Sequence, residues 1–322
     1  MKAIVQDVYG PPEVLRIEEM DRPVPGQGEV LVRVHSAGLD QGVWHLMAGL
    51  PYAVRAVSGL RRPRTRVRGL DVAGVVEAVG PDVTRFRPGD EVYGNCSGSF
   101  AEYACAKEST LAPKPASLGF EQAAAVPVSG CTALNAVRDS AKVKAGQSVL
   151  VLGASGGVGS FAVQVAKAYG AHVTGVCSTA KTDLVRSLGA DEVLDYTQQD
   201  PVDGGRRYDV ILDIAGNRPI ARLRRALTPG GTLVIIGGEG GGKWIGGNQR
   251  QLGAMLLSPF VGHRLRAHGT LVRHRDLEAL TELIEAGSVT PAVDRTYPLA
   301  EVPDAIRHLR DGQVRGKVAI RL

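Results

Sequence analysis

The period of the apolar positions changes part-way along the chain. In roughly the first hundred residues they form short β-type runs, Glu29 to His35, Val72 to Val79 and Glu91 to Tyr93, punctuated by Pro23, Pro25, Gly26, Gly28, Gly80, Pro81, Pro88 and Gly89. That spacing predicts a compact β-rich domain. From about Gly146 the runs alternate in type. Strands are expected over Ser148 to Leu152, His172 to Cys177, Glu192 to Tyr196, Tyr208 to Ile214 and Thr232 to Ile236, and helices over Val158 to Tyr169, Thr182 to Leu188 and Ala221 to Leu227. In the first of these helices Val158, Ala162, Val165 and Tyr169 recur at helical spacing and make one buried face. Strand and helix in alternation predict a parallel sheet with crossover helices, a doubly wound α/β domain. The tail, with a helix-like run Asp276 to Glu285, then Pro298 to Leu309 and a strand-like Lys317 to Leu322, can complete either domain.

Composition adds limits. A chain of 322 residues with 44% hydrophobic content supports two cores, and 22% charged residues excludes disorder by charge excess. Forty-one glycines without a collagen period point to many tight turns and close backbone approaches. The net charge of +5 suits an anionic small molecule as readily as a polyanion. The densest basic stretch carries Arg55, Arg61, Arg62, Arg64, Arg66 and Arg68, but no nucleic-acid motif, so no nucleic-acid partner is expected. It reads either as a solvated loop or as a cleft wall facing an anionic ligand. Cys96, Cys105, Cys131 and Cys177 form no CxxC pair, which fits a reducing compartment. With no signal-like start and no run of about 18 apolar residues, a cytoplasmic protein without a membrane partner is expected.

The strand Ser148 to Leu152 runs straight into Gly153-Ala154-Ser155-Gly156-Gly157-Val158-Gly159 and then into the amphipathic helix. Glycine there lets backbone N–H groups approach a pyrophosphate, and the helix N-terminus offers its partial positive charge. Gly153, Ser155, Gly156, Gly157, Val158 and Gly159 are therefore the expected dinucleotide site. The second strand ends at Cys177-Ser178-Thr179-Ala180-Lys181, with hydroxyls and a cation where an acidic residue would select NADH. NADPH is the cofactor expected.

With these features read, the chain resembles the medium-chain dehydrogenase/reductase superfamily, in its zinc-free quinone oxidoreductase-like branch. Further markers are Gly28-Glu29-Val30-Leu31-Val32, the segment Gly69-Leu70-Asp71-Val72-Ala73-Gly74, Arg87-Pro88-Gly89-Asp90, Phe100-Ala101-Glu102-Tyr103, Ala123-Ala124-Ala125-Val126-Pro127 and Gly316-Lys317-Val318. The resemblance implies a GroES-like catalytic domain from residues 1–126 and 269–322, with a Rossmann NADP-binding domain, 127–268, inserted between them. It carries a 2′-phosphate set onto Ser178, Lys181 and Tyr196, and nicotinamide neighbours onto Thr132, Gly237 and Gly238.

In zinc-dependent relatives a metal is held by Cys, His and a third ligand. The matching positions here hold Leu39 or Asp40, Leu70 and Ala124, so no metal is expected. Asp71 is read as a structural hydrogen-bonding group. Without a Lewis acid, the implied reaction is hydride transfer from NADPH to an acceptor that is already electrophilic, a quinone or an α,β-unsaturated carbonyl compound. Candidate polar groups for the reduced acceptor are Asp40, which also reads as a helix N-cap, together with His45 and Tyr52. An alternative reading is an NADPH-binding protein with an assembly or regulatory role and little turnover. A homodimer, joined by an edge strand near Leu265 to Val272, is implied by the resemblance alone.

Overall fold

One long strand, Glu29–Leu39, organises the N-terminal half because it serves two partners along the same edge. Its first part, Glu29 to Arg33, pairs antiparallel with Tyr103–Lys107, and its last part, Ser36 to Leu39, pairs antiparallel with Lys317–Arg321. Register shifts between Leu31 and Val32 and between Val34 and Ser36 adjust the strand against its other neighbour, Asp71–Val79. The strand predicted to end at His35 therefore continues through Ser36-Ala37-Gly38-Leu39, a stretch of weak β preference. Pairing with the C-terminal strand overrides local propensity there, and the buried Ser36 Oγ donates to the Ile320 carbonyl at 2.9 Å.

The computed structural model describes residues 1–216, 218–238, 242–269 and 271–322. Contacts divide the chain into one unit of Met1–Cys131, Leu271–Ala286 and Pro291–Leu322, and a second of Thr132–Thr270 and Gly287–Thr290. The first unit holds a seven-stranded sheet in the order Val293–Pro298, Lys317–Arg321, Glu29–Leu39, Asp71–Val79, Glu91–Asn95 and Leu111–Pro113, with Tyr103–Lys107 attached to Glu29–Leu39. Lys2–Val5 and Arg16–Glu19 form a small antiparallel pair. The tail helix His274–Glu285 belongs to this unit, tied down by the buried Tyr93 hydroxyl, which donates to the Leu277 carbonyl at 2.7 Å. Ile4, Leu39, Val43, Met47, Phe100, Ile306, Val318 and Ile320 pack in one core, so the two ends of the chain share it.

The second unit carries a six-stranded, all-parallel sheet in the order Glu192–Asp195, His172–Cys177, Ser148–Leu152, Tyr208–Asp213, Leu227–Ile235 and Arg264–Ala267. Numbered along the chain this is the order 3-2-1-4-5-6 of the Rossmann fold. Its central strands have apolar, buried middles, 149–152 and 210–212, as burial on both faces requires. The fifth strand begins at Leu227 rather than Thr232; Pro229-Gly230-Gly231 is absorbed by a register shift opposite Tyr208 and Val210. Arg264–Ala267 is an edge of the sheet. No helix among the described residues is long and apolar enough to cross a membrane.

Candidate functional site

In the second unit the chain leaves Ser148–Leu152 through Gly153, whose φ of +84° favours glycine, and enters helix Gly157–Ala168. Two glycines of the turn have different causes. A Cβ on Gly159 would lie 2.0 Å from the Gly153 carbonyl oxygen, so strand–helix packing demands glycine there. A Cβ on Gly156 would meet only that same oxygen, at an ordinary 3.5 Å. Packing therefore leaves Gly156 unexplained, and the open side of the turn has room for a ligand. No side chain caps the helix, and its first intrahelical bond runs from Ser160 N to Gly156 O. The amides of Gly157, Val158 and Gly159 precede that bond, in the place where a pyrophosphate accepts. Ser155 is buried beside them. The residues fit a dinucleotide.

The register of the sheet sets Cys177 opposite Asp195, which makes Ser178 and Tyr196 neighbours at adjoining strand ends, and Tyr196 N donates to Cys177 O at 3.1 Å. The Tyr196 ring is exposed. Lys181 sits in the single turn Thr179–Lys181, its amide bonded to Ser178 O. The backbone thus brings the three to adjoining strand ends. The third strand adds an acid next to this strand end: Asp195 accepts a hydrogen bond from Thr179 Oγ1 and another from Thr197 Oγ1 at 2.7 Å. These hydrogen bonds, the one from Thr179 first, hold its carboxyl below the ordinary range.

Gly237 and Gly238 follow the fifth strand, and their glycines answer to the protein's own backbone. A Cβ on Gly237 would lie 1.8 Å from Ile214 O, and one on Gly238 would lie 2.8 Å from Gly247 Cα. Thr132 is buried in helix Pro127–Asn135.

In the first unit Asp40 caps helix Gln41–Ala48, its Oδ1 accepting from Val43 N at 3.2 Å, and Gly49, in the left-handed region, ends the same helix. The two readings of Asp40 prove compatible, since its other oxygen faces elsewhere. Asp40 Oδ2 lies 4.0 Å from Lys317 Nζ, and Asp71 Oδ2 lies 3.6 Å from the same nitrogen. Sheet register makes this cluster: Gly38 pairs with Asp71, and Leu39 with Val318, so the ends of three strands converge. Asp71 is fully buried and its Oδ1 accepts from Val128 N at 3.1 Å, the structural hydrogen bond expected of it. Lys317 is 1% exposed. Its Nζ and the Oδ2 atoms of Asp40 and Asp71 make no hydrogen bond among the described residues, although they face one another. Burial pushes the Asp71 carboxyl up to about 7, Lys317 opposing and Asp40 adding to the rise. Burial thus favours the protonated form of Asp71.

His45 Nδ1 lies 2.6 Å from the Leu50 carbonyl oxygen. Because a carbonyl only accepts, Nδ1 carries the proton, and Nε2 of the neutral ring is an acceptor. Tyr52 begins a short turn, its ring covered by the Arg55 guanidinium at 4.8 Å. A cavity of about 220 Å³ opens beside the helix, lined by Val43, Leu46, Leu70, Arg64, Arg68 and Ser97 among others. Among the described residues no three His, Cys, Asp or Glu side chains gather as metal ligands would.

Three residues here escaped the reading of the sequence. Lys317 was visible only as part of a marker, Asp195 lay on the wrong strand to be considered, and Arg68 was one arginine among six.

The Alcohol dehydrogenase GroES-like domain family matches residues 26–116, and the Zinc-binding dehydrogenase family matches residues 188–320. The chain is 34% identical to the mitochondrial NAD(P)H oxidoreductase RTN4IP1 of Mus musculus, over all of this chain and 89% of that one. It is 32% identical to the quinone oxidoreductase of Homo sapiens, over 100% and 98% of the two chains. Among solved structures, Escherichia coli quinone oxidoreductase complexed with NADPH superposes with a TM-score of 0.86 at 25% identity, each chain covered completely. The shared fold, the glycine turn and full-length identity above 30% place this chain in the medium-chain dehydrogenase/reductase superfamily, within its quinone oxidoreductase-like branch.

Proposed function

We propose that this oxidoreductase uses NADPH to reduce a quinone or an α,β-unsaturated carbonyl compound without a metal ion. The observation that carries the reading is the uncapped helix behind Gly156, set in the same sheet as Ser178, Lys181 and Tyr196. The NADPH complex of the Escherichia coli relative supports the choice of cofactor. Reduced nicotinamide, when bound, supplies a hydride. The chain's own task is then to orient the acceptor, exclude water and provide a proton to the anion that hydride addition leaves. We assign the proton to the set Asp40, Lys317 and Asp71, with His45 and Tyr52 as neighbours that shape the approach. Thr132, Gly237 and Gly238 are assigned to the nicotinamide end, and a homodimer to pairing of the edge strand Arg264–Ala267.

The test is oxidation of NADPH by chelator-treated protein against a small quinone, an enone and a simple aldehyde, with NADH as control and Lys181→Ala alongside. Turnover of the quinone or enone with NADPH is expected. Removing the cation that faces the 2′-phosphate should raise KM for NADPH about tenfold, the worth of one charge-assisted contact, and leave NADH nearly unaffected. Equal use of the two cofactors by the wild type would assign the strand end to Asp195 instead. Tight NADPH binding with no turnover on any acceptor would replace the reading by that of a cofactor-binding protein with an assembly or regulatory role.

A further inference from the structure

The six arginines between Arg55 and Arg68 have separate fates. Arg55 lies over the Tyr9 and Tyr52 rings and donates to Gly49 O, and Arg66 is neutralised by Asp7 and Glu18 at 2.7 and 3.0 Å. Arg61 and Arg62 are exposed. Arg64 and Arg68 remain, and both line the 220 Å³ cavity, Arg64 exposed at its mouth and Arg68 within.

Arg68 is the unusual one. It is 5% exposed, no carboxylate among the described residues pairs with it, and its Nε makes no hydrogen bond. Its one side-chain hydrogen bond among the described residues is a long 3.4 Å contact from Nη1 to Leu46 O. The backbone offers it no freedom to leave, because Arg68 N donates to Ile4 O and its carbonyl accepts from Phe100 N at 2.9 Å. A guanidinium held out of water without a counter-ion is costly unless something else supplies the anion. Burial lowers its pKa to about 10, so it stays charged at neutral pH. No Asp or Glu lines the cavity, whereas Ser58, Thr65 and Ser97 add hydroxyls to its wall, and Val43 and Leu70 add an apolar side.

We infer that this cavity receives the anionic end of the acceptor, a carboxylate, which Arg68 grips from within and Arg64 draws in at the mouth. The inference deepens the proposed function and rests on it for what the rest of the acceptor is. It follows that the preferred substrates are carboxylated enones or quinones rather than neutral ones. The apolar side of the wall accommodates the carbon skeleton next to the carboxylate, and the planar fork of Arg68 suits two carboxylate oxygens.

The experiment compares a 4-oxo-2-enoate with its methyl ester at fixed NADPH, pH 7 and low salt. The acid should be favoured about tenfold to a hundredfold in kcat/KM, a charge-assisted bidentate contact being worth that much, with most of the difference in KM. Arg68→Gln should bring the acid-to-ester ratio close to one, and Arg68→Lys should restore part of it. Arg64→Gln, at an exposed position where folding is not in question, should lower the ratio several-fold, and Arg61→Gln should leave it as in the wild type. A wild type that treats acid and ester alike, or a ratio unmoved in both Arg68→Gln and Arg64→Gln, overturns the inference. If neither compound is reduced, the oxidoreductase reading fails by itself and the cavity is judged by binding. The saturated 4-oxopentanoate should then raise Tm in a manner dependent on Arg68, while its methyl ester does not. No stabilisation by the acid, or stronger stabilisation by inorganic phosphate, overturns the assignment to a carboxylate.

Discussion

Two cations are buried in the GroES-like unit, and the protein treats them oppositely. Lys317 lies within 4.0 Å of two carboxylates, each on a different strand end, so its charge is balanced by the chain itself. Arg68 has no carboxylate partner among the described residues and lines a cavity instead. The first has its counter-charges within the chain, at 3.6 and 4.0 Å. The second has none among the described residues, and the inferred anion would supply it. A buried charge that the fold has already paired serves the protein's integrity or its proton inventory, whereas one left unpaired at a cavity wall describes the ligand.

The sharpest way to break this comparison is to neutralise each cation and measure stability. Lys317→Met leaves Asp71 and Asp40 facing each other without compensation, and should lower the unfolding free energy by about 3–5 kcal/mol, as when one partner of a buried pair is removed. Urea denaturation at pH 7 checks it; a loss below 1 kcal/mol, the ceiling for ordinary exposed pairs, would put Lys317 outside the cluster's energetics. Next in size is the pH dependence of Asp71. Its carboxyl is raised from 3.8 to about 7 by burial, so the folded state keeps a proton that the unfolded state releases. Stability from this group is full below pH 4 and is lost as pH rises through about 7, by at most about 4 kcal/mol. Asp71→Asn should flatten that part of the pH–stability profile, and an unchanged slope would assign the proton elsewhere. The smallest effect is expected at Arg68. Replacing an unpaired buried guanidinium by a side chain of similar volume, Arg68→Met, should leave stability unchanged or raise it by about 1 kcal/mol. A loss like that of Lys317→Met would erase the distinction.

What could be read from the sequence was whatever its neighbours along the chain determine. The turn Gly153 to Gly159 sits between its own strand and helix, so its chemistry is local, and the alternation after Gly146 is enough to name a parallel sheet. Asp40 was legible for the same reason, a polar residue directly before helical spacing. The rest depends on pairings between distant segments. Asp195 reaches the cofactor-selecting strand end only through its register with Cys177, and Lys317 meets Asp71 only because Glu29–Leu39 changes partners part-way along. Arg68 was hidden in another way. Composition counted it with five neighbours of the same charge, and burial alone separates it from them.

Gly69 joins the two territories. Its φ of +99° and the 2.3 Å that a Cβ would leave to Ser99 Oγ reserve the position for glycine, and the chain changes allegiance across it. Before it, Arg68 hydrogen-bonds to the Ile4 and Phe100 backbones; after it, Asp71 enters the seven-stranded sheet opposite Gly38 and Asn95. Arg68, to which we assign selection of the acceptor, and Asp71, to which we assign the proton, are thus three positions apart in the chain yet anchored to different parts of the scaffold. On these assignments, a substitution at position 68 changes the cavity wall and leaves the backbone pairings that hold Asp71 in place.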